Sequence, residues 1–178
     1  MAITDRKVPL SSVWLALMAA TTSTLFSLVR GVPIRGGIEI GMATELAHGE
    51  IFGPAIVDAI RLEREADWPR VIIGNKLNSY LAGVASGNCK SSEDEINQQF
   101  AQRCLGLLCT DPTGVIMLNV QSASIGQMID THREYLIQAT EFAAKQYKQY
   151  CEFGDSKLAG KYAILASYMN TPLEGGPK

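Results

Sequence analysis

Pro33–Asn75, PIRGGIEIGMATELAHGEIFGPAIVDAIRLEREADWPRVIIGN, is the stretch on which the fold turns. It reads as a strand, a polar excursion, a helix and a second strand. Ile34, Ile38 and Ile40 lie in a short apolar run that Gly41 closes. Met42–Ile51 is polar and irregular. Gly53-Pro54 then opens a helix, because a proline N–H is not missed in a first helical turn. Ala55, Ile56, Ala59, Ile60, Leu62 and Ala66 recur at helical spacing and form one apolar stripe. Glu63, Arg64, Glu65 and Asp67 fall mostly off it. Pro69 stops the helix, and Arg70–Gly74 returns as a strand. Two strands joined by a helix of this length can close as a right-handed crossover unit.

Upstream, Leu10–Val29 carries no charge and is long enough to raise a membrane span. Thr21, Thr22, Ser23 and Thr24 interrupt it, and Ser11, Ser12 and Ser27 dilute it. A buried core helix ended by Gly31 is expected instead. Met1–Pro9 is short, polar and without the build of a secretory signal. Downstream, Asn75–Ala85 continues as a helix through Leu77, Leu81 and Val84. Ser91-Ser92-Glu93-Asp94-Glu95 reads as a capped helix start, with Ile96, Phe100 and Cys104 as the inner face. Leu105–Thr110 and Val115–Val120 flank Asp111-Pro-Thr-Gly114 and predict a hairpin. Ser124–Phe153 is one long helical pattern, Ser156–Tyr168 a last helix, and Asn170–Lys178 a loose Pro/Gly tail.

At 178 residues, 47% of them hydrophobic and 19% charged, the chain has the make-up of a single globular domain. A net charge of −2 gives no electrostatic case for nucleic acid or an acidic membrane surface. Cys89, Cys104, Cys109 and Cys151 show no C-x-x-C spacing. They read as free thiols of a reducing cytosol, not as a zinc site or a disulfide framework.

Arg35-Gly-Gly-Ile…Gly41, Phe52-Gly-Pro-Ala…Ala59…Leu62-Glu63…Ala66 and Pro69-Arg70-Val71 together resemble the second half of a class III nucleotidyl cyclase domain. The likeness is to the bacterial branch written RGGI–G–FGPA–A–LE–A–PRI. Leu107–Val120 resembles that branch's strand pair around a D-x-x-G turn. Lys161-Tyr162…Leu165-Ala166…Tyr168…Asn170 resembles its closing helix. The resemblance implies an α/β fold, an α+β sandwich of the class III cyclase or ferredoxin-like kind. In one domain spanning 1–178, residues 10–120 would form the core and 124–170 a helical extension. It further implies a cytoplasmic protein of cyclic-nucleotide signalling, a homo- or heterodimer, with a nucleoside triphosphate as its small-molecule partner.

In that family the ribose 3′-hydroxyl attacks the α-phosphorus, aided by two metal ions held by two aspartates. A partner subunit adds an Arg and an Asn in the order G-x-x-V-N-x-A-A-R. On this chain Gly53 matches the Gly and Arg61 the Arg, so Arg61 is the implied catalytic residue. The Asn position falls on Val57, which has no polar side chain, and the base-selecting acid falls at Glu50. Glu50 and Gly53 are therefore the implied nucleotide-binding positions. The aspartates belong upstream of the helix before RGGI, where the only acid before Glu39 is Asp5. No metal ligand is assigned. The expectation is an N-terminally truncated or degenerate cyclase homologue, inactive alone and needing no cofactor by itself. Mg²⁺ or Mn²⁺ with an ATP- or GTP-type nucleotide would enter only through a full-length partner. Loss of the first third would expose strand edges that another chain must cover. Two alternatives are a half-enzyme supplying Arg61 and a non-catalytic assembly module presenting the 124–153 helix. His48 reads as a solvated loop residue and His132 as part of a solvated helix face. Gly36 and Gly37 are read as allowing close packing inside a sheet rather than cradling phosphate.

Overall fold

The computed structural model describes residues 9–46, 49–88 and 90–171, so Asp5, His48 and Cys89 lie outside the described residues. The chain runs α1 (Leu10–Val29), β1 (Gly36–Ile38), β2 (Thr44–Glu45), β3 (Ile51–Phe52), α2 (Pro54–Glu65), β4 (Val71–Ile73), α3 (Asn75–Ala85), α4 (Ser92–Leu105), β5 (Leu108–Thr110), β6 (Ile116–Leu118), α5 (Ala123–Gly126), α6 (His132–Glu152) and α7 (Ser156–Met169). This is an α+β fold. A four-stranded mixed sheet in the order β1-β4-β6-β5 stands beside a two-stranded hairpin of β2 and β3. β1 and β4 are parallel, as a strand–helix–strand crossover requires, with Gly37 opposite Ile72. β6 runs antiparallel to both β4 and β5.

The alternation of β4 separates two layers. Val71 and Ile73 join α1, α3 and α4 in one cluster with Leu17, Leu77, Leu81 and Cys104. Ile72, between them, turns to Leu62 and Ala66 at the end of α2. A further cluster joins Leu25 and Leu28 of α1 to Ala139 and Ala143 of α6 and Leu165 of α7. The C-terminal helices thus share a core with α1.

α1 is long and apolar enough to cross a membrane by length and composition. In this fold Leu10, Leu17, Leu25 and Leu28 are buried, and the helix lies against α4 and α6. Its hydroxyls fit because they bond within the helix. Thr21 donates to the Leu17 carbonyl at 2.7 Å and Thr24 to that of Ala20 at 2.8 Å. The capped start of α4 is as expected, with Ser91 Oγ accepting from the Asp94 N–H.

Several expectations need correction, among them the strand at Leu105–Thr110, whose first residue ends α4 and which begins only at Leu108. The first strand is only Gly36–Ile38, with Ile34 and Ile40 outside it. The 42–51 excursion is not wholly irregular, since Thr44↔Phe52 and Glu45↔Ile51 pair as a hairpin. Ile96 is not on the inner face of α4, being 54% exposed where Ala101 is buried. Ile60 of the α2 stripe is 47% exposed, because the sheet beneath does not reach under it. The 124–153 pattern is broken into α5 and α6, because the chain turns inward between Gln127 and Thr131 to bury His132.

That last turn also overturns the solvated reading of His132. Its Nε2 lies 2.9 Å from the Val120 carbonyl, and since a carbonyl only accepts, Nε2 donates. Its Nδ1 sits close enough to Gly126 that a Cβ there would meet it at 3.1 Å.

Candidate functional site

The residues singled out by the sequence lie on β3, α2 and the loops around β1. Gly53 precedes α2 with φ 153°, and Pro54 follows at the first helical position. A Cβ at Gly53 would lie 2.4 Å from the Met42 carbonyl oxygen and 2.8 Å from Ala43 Cα. Glycine is therefore demanded by the close approach of the base of the hairpin. The Ala55 N–H donates to the Met42 carbonyl at 3.4 Å, so part of the helix N-terminus is already engaged.

Arg61 sits mid-way along α2 with 67% of its side chain exposed. Its acid partners are on the same helix: Asp58 at 3.4 Å and Glu65 at 3.9 Å. Asp58 is itself 2.7 Å from Lys76 Nζ. The hydrogen bond from Lys76, aided by its charge and that of Arg61, holds the Asp58 carboxyl below its ordinary value. Both acids lie within one helical turn of Arg61, and the guanidinium itself faces outward. Glu50 is exposed just before β3, and its carbonyl accepts from the Leu46 N–H at 2.7 Å. Val57, at the implied Asn position, is 67% exposed. Arg61 pairs with Asp58 and Glu65, not with Glu50, so the carried-over residues do not form one network.

Glu39, which sequence spacing did not single out, holds the neighbouring elements together. Its Oε1 accepts from Leu77 N at 2.8 Å and its Oε2 from Lys76 N at 3.2 Å. The carboxylate thus caps the N-terminus of α3 and complements that end of the helix dipole. Gly74 makes room, since a Cβ there would meet Glu39 Oε2 at 2.1 Å. No local signal shows this cap, which comes from 38 residues upstream of Leu77.

β1 and α2 are closely apposed. A Cβ at Gly37 would stand 2.3 Å from the Ala59 carbonyl oxygen and 2.5 Å from Leu62 Cβ. The glycine permits close packing as read, but of helix on strand. Beside this contact runs an open groove of about 460 Å³, lined by Gly36, Gly37 and Glu39 of the β1 segment and by Ala55, Ile56, Ala59, Ile60 and Glu63 of α2. Met42, Phe52 and Val57, on the segments between β1 and the middle of α2, are each at least 67% exposed.

Arg70, at the start of β4, and Asp111, at the end of β5, form a buried ion pair. Asp111 Oδ1 also accepts from Thr113 N, Thr113 Oγ1 and Val115 N, at 2.7 to 2.9 Å. Burial alone would raise the Asp111 carboxyl. Those bonds and the Arg70 charge outweigh it and hold the group below its ordinary value. Arg70 lies 5.1 Å over the Trp68 ring. This pair ties Pro69-Arg70-Val71 to the Asp111–Gly114 turn, and its enclosure gives it a structural role. Cys104 and Cys109 are free thiols, each pushed up to about 11 chiefly by burial, and so are not nucleophiles at neutral pH. Among the described residues no group of three His, Cys, Asp or Glu side chains comes together to hold a metal ion. Glu39 and Asp58, the acids nearest the groove, are already engaged by the α3 amides and by Lys76 and Arg61. A divalent cation does not fit them.

Comparison with protein-family models, with curated proteins and with solved structures finds no match to this chain.

Proposed function

We propose that this protein is a degenerate homologue of the class III nucleotidyl cyclases, without turnover of its own, that acts in assembly with another chain. The observation supporting this reading is that the resembling segments fall on one strand–helix–strand unit and the hairpin beside it. GGI forms β1, FGPA leads into α2, PRV leads into the parallel β4, and Arg70 pairs with the acid of the D-x-x-G turn. A second reading, a half-enzyme lending Arg61 to a full-length partner, is favoured by the outward guanidinium.

Two assays test these. The isolated chain, given ATP or GTP with Mg²⁺ or Mn²⁺, should form no cyclic nucleotide, and measurable turnover would overturn the first reading. A full-length class III cyclase whose partner-supplied arginine is changed to alanine should regain turnover with this chain if the second reading is right. Arg61→Ala should then abolish the rescue while changing stability by no more than about 0.5 kcal/mol. Absence of rescue returns Arg61 to a surface charge.

A further inference from the structure

Arg70 is only 8% exposed. Asp111 Oδ2 accepts from its Nη1. Its Nε–H, which is buried, meets no acceptor among the described residues. Buried donors in folded proteins are nearly always met, by protein or by ordered water.

Arg70 also lines a cavity of about 10 Å³. The cavity's walls are mostly apolar, from Leu28 of α1, Trp68, Met117 of β6 and Leu165 of α7, with two side-chain hydroxyls among them, those of Thr24 and Tyr168. Volume decides what can enter. One water needs roughly 10–15 Å³ of such space, so nothing larger fits. An anion is not called for, because Asp111 already neutralises the guanidinium.

A buried water needs at least two polar partners. Arg70 Nε supplies a donor, so the second partner must accept a proton from the water. Tyr168 Oη is already used twice, accepting from the Val120 N–H at 3.1 Å and donating to Asn119 Oδ1 at 3.0 Å. Thr24 Oγ1 donates to the Ala20 carbonyl at 2.8 Å and keeps its capacity to accept. Thr24 is thus the hydroxyl best placed to take the water's proton.

We propose that this cavity is a binding site for one water molecule, which accepts from Arg70 Nε and donates to Thr24 Oγ1. The water joins α1 to the start of β4 beside the ion pair. The hydroxyl of Thr24, one of those that interrupt the apolar run of α1, thereby serves the tertiary structure as well as its own helix. This rests on Arg70, Thr24 and the cavity, and stands whether or not the cyclase reading does.

The test uses the full isotope-labelled chain, with water itself as the probe. Water is excited selectively by NMR, and transfer to the Arg70 Nε–H is read in NOE and ROE forms. A held water gives cross-peaks of opposite sign in the two, whereas proton exchange with solvent gives the same sign in both. Opposite signs are expected. Thr24→Val keeps a side chain of similar size but leaves the water one partner, below the two it needs, so the peak should vanish. Thr24→Ser keeps the hydroxyl and should keep the peak. The proposal is overturned if the unsubstituted chain gives no cross-peak or exchange peaks alone. It is overturned equally if the peak survives undiminished in Thr24→Val, or if Thr24→Ser loses it. The unsubstituted chain and Thr24→Ser decide the matter even where Thr24→Val fails to fold.

Discussion

Asp111→Ala removes the carboxylate on which the β5–β6 turn and the Arg70 charge both depend. Three donors converge on Oδ1, from Thr113 N, Thr113 Oγ1 and Val115 N, while Arg70 bonds Oδ2. Arg70 is only 8% exposed and its Nε has no protein partner. Without Asp111 the guanidinium is a buried charge with no counter-ion. Breaking a buried pair from one side in this way costs about 3–5 kcal/mol. For a domain of this size that corresponds to a fall of about 6–20 °C in Tm. Asp111→Asn keeps one carbonyl acceptor for the turn but loses the charge, so it should lose less, and the gap between the two variants measures the turn. Replacing both partners, Arg70→Met with Asp111→Leu, should recover much of the loss, since no orphaned charge remains. The pH dependence has a definite sign. The folded carboxyl lies below its ordinary 3.8, so its stabilisation is fully present above that value and is lost as pH falls through the folded value. The deficit of Asp111→Ala should be constant from neutrality down to about pH 5 and shrink below 3.8. Urea titrations across this range measure it. A loss under about 1 kcal/mol at pH 7, or a deficit that does not shrink in acid, would refute the picture of an enclosed pair.

Gly37→Ala should lift α2 from β1, because the new Cβ would sit 2.3 Å from the Ala59 carbonyl oxygen. A loss of about 1–3 kcal/mol is expected by denaturant titration, with a smaller one for Gly36→Ala. Glu39→Ala uncaps α3 and should cost about 0.5–2 kcal/mol, with faster amide exchange at Leu77. Unchanged exchange there would place the cap elsewhere. His132→Phe keeps the ring but orphans the buried Val120 carbonyl, for a loss of about 1–3 kcal/mol in thermal unfolding. A neutral result would mean that water reaches that carbonyl.

Apart from the β2–β3 hairpin and the break between α5 and α6, the order of elements was legible in the residues because its signals are local. Pro54 and Pro69 bracket α2, Ser91 caps α4, and the Asp111–Gly114 turn divides β5 from β6. The period of Ala55, Ile56, Ala59, Leu62 and Ala66 marks one face of a helix without saying how much of that face is covered. Only the sheet order decided that, by ending at β1 and leaving Ile60 over an open groove. The same limit applies to the charged and polar residues. Glu39 became a cap for α3, Asp111 the partner of Arg70, and His132 a buried donor to Val120. Each meets a partner 12 to 41 positions away. Arg61 remains outward with its acids three and four residues along its own helix. Helical spacing fixes such contacts before the chain folds. The longer-range ones exist only after strands pair and helices dock, because burial removes water and leaves each polar group to find its partner in the protein.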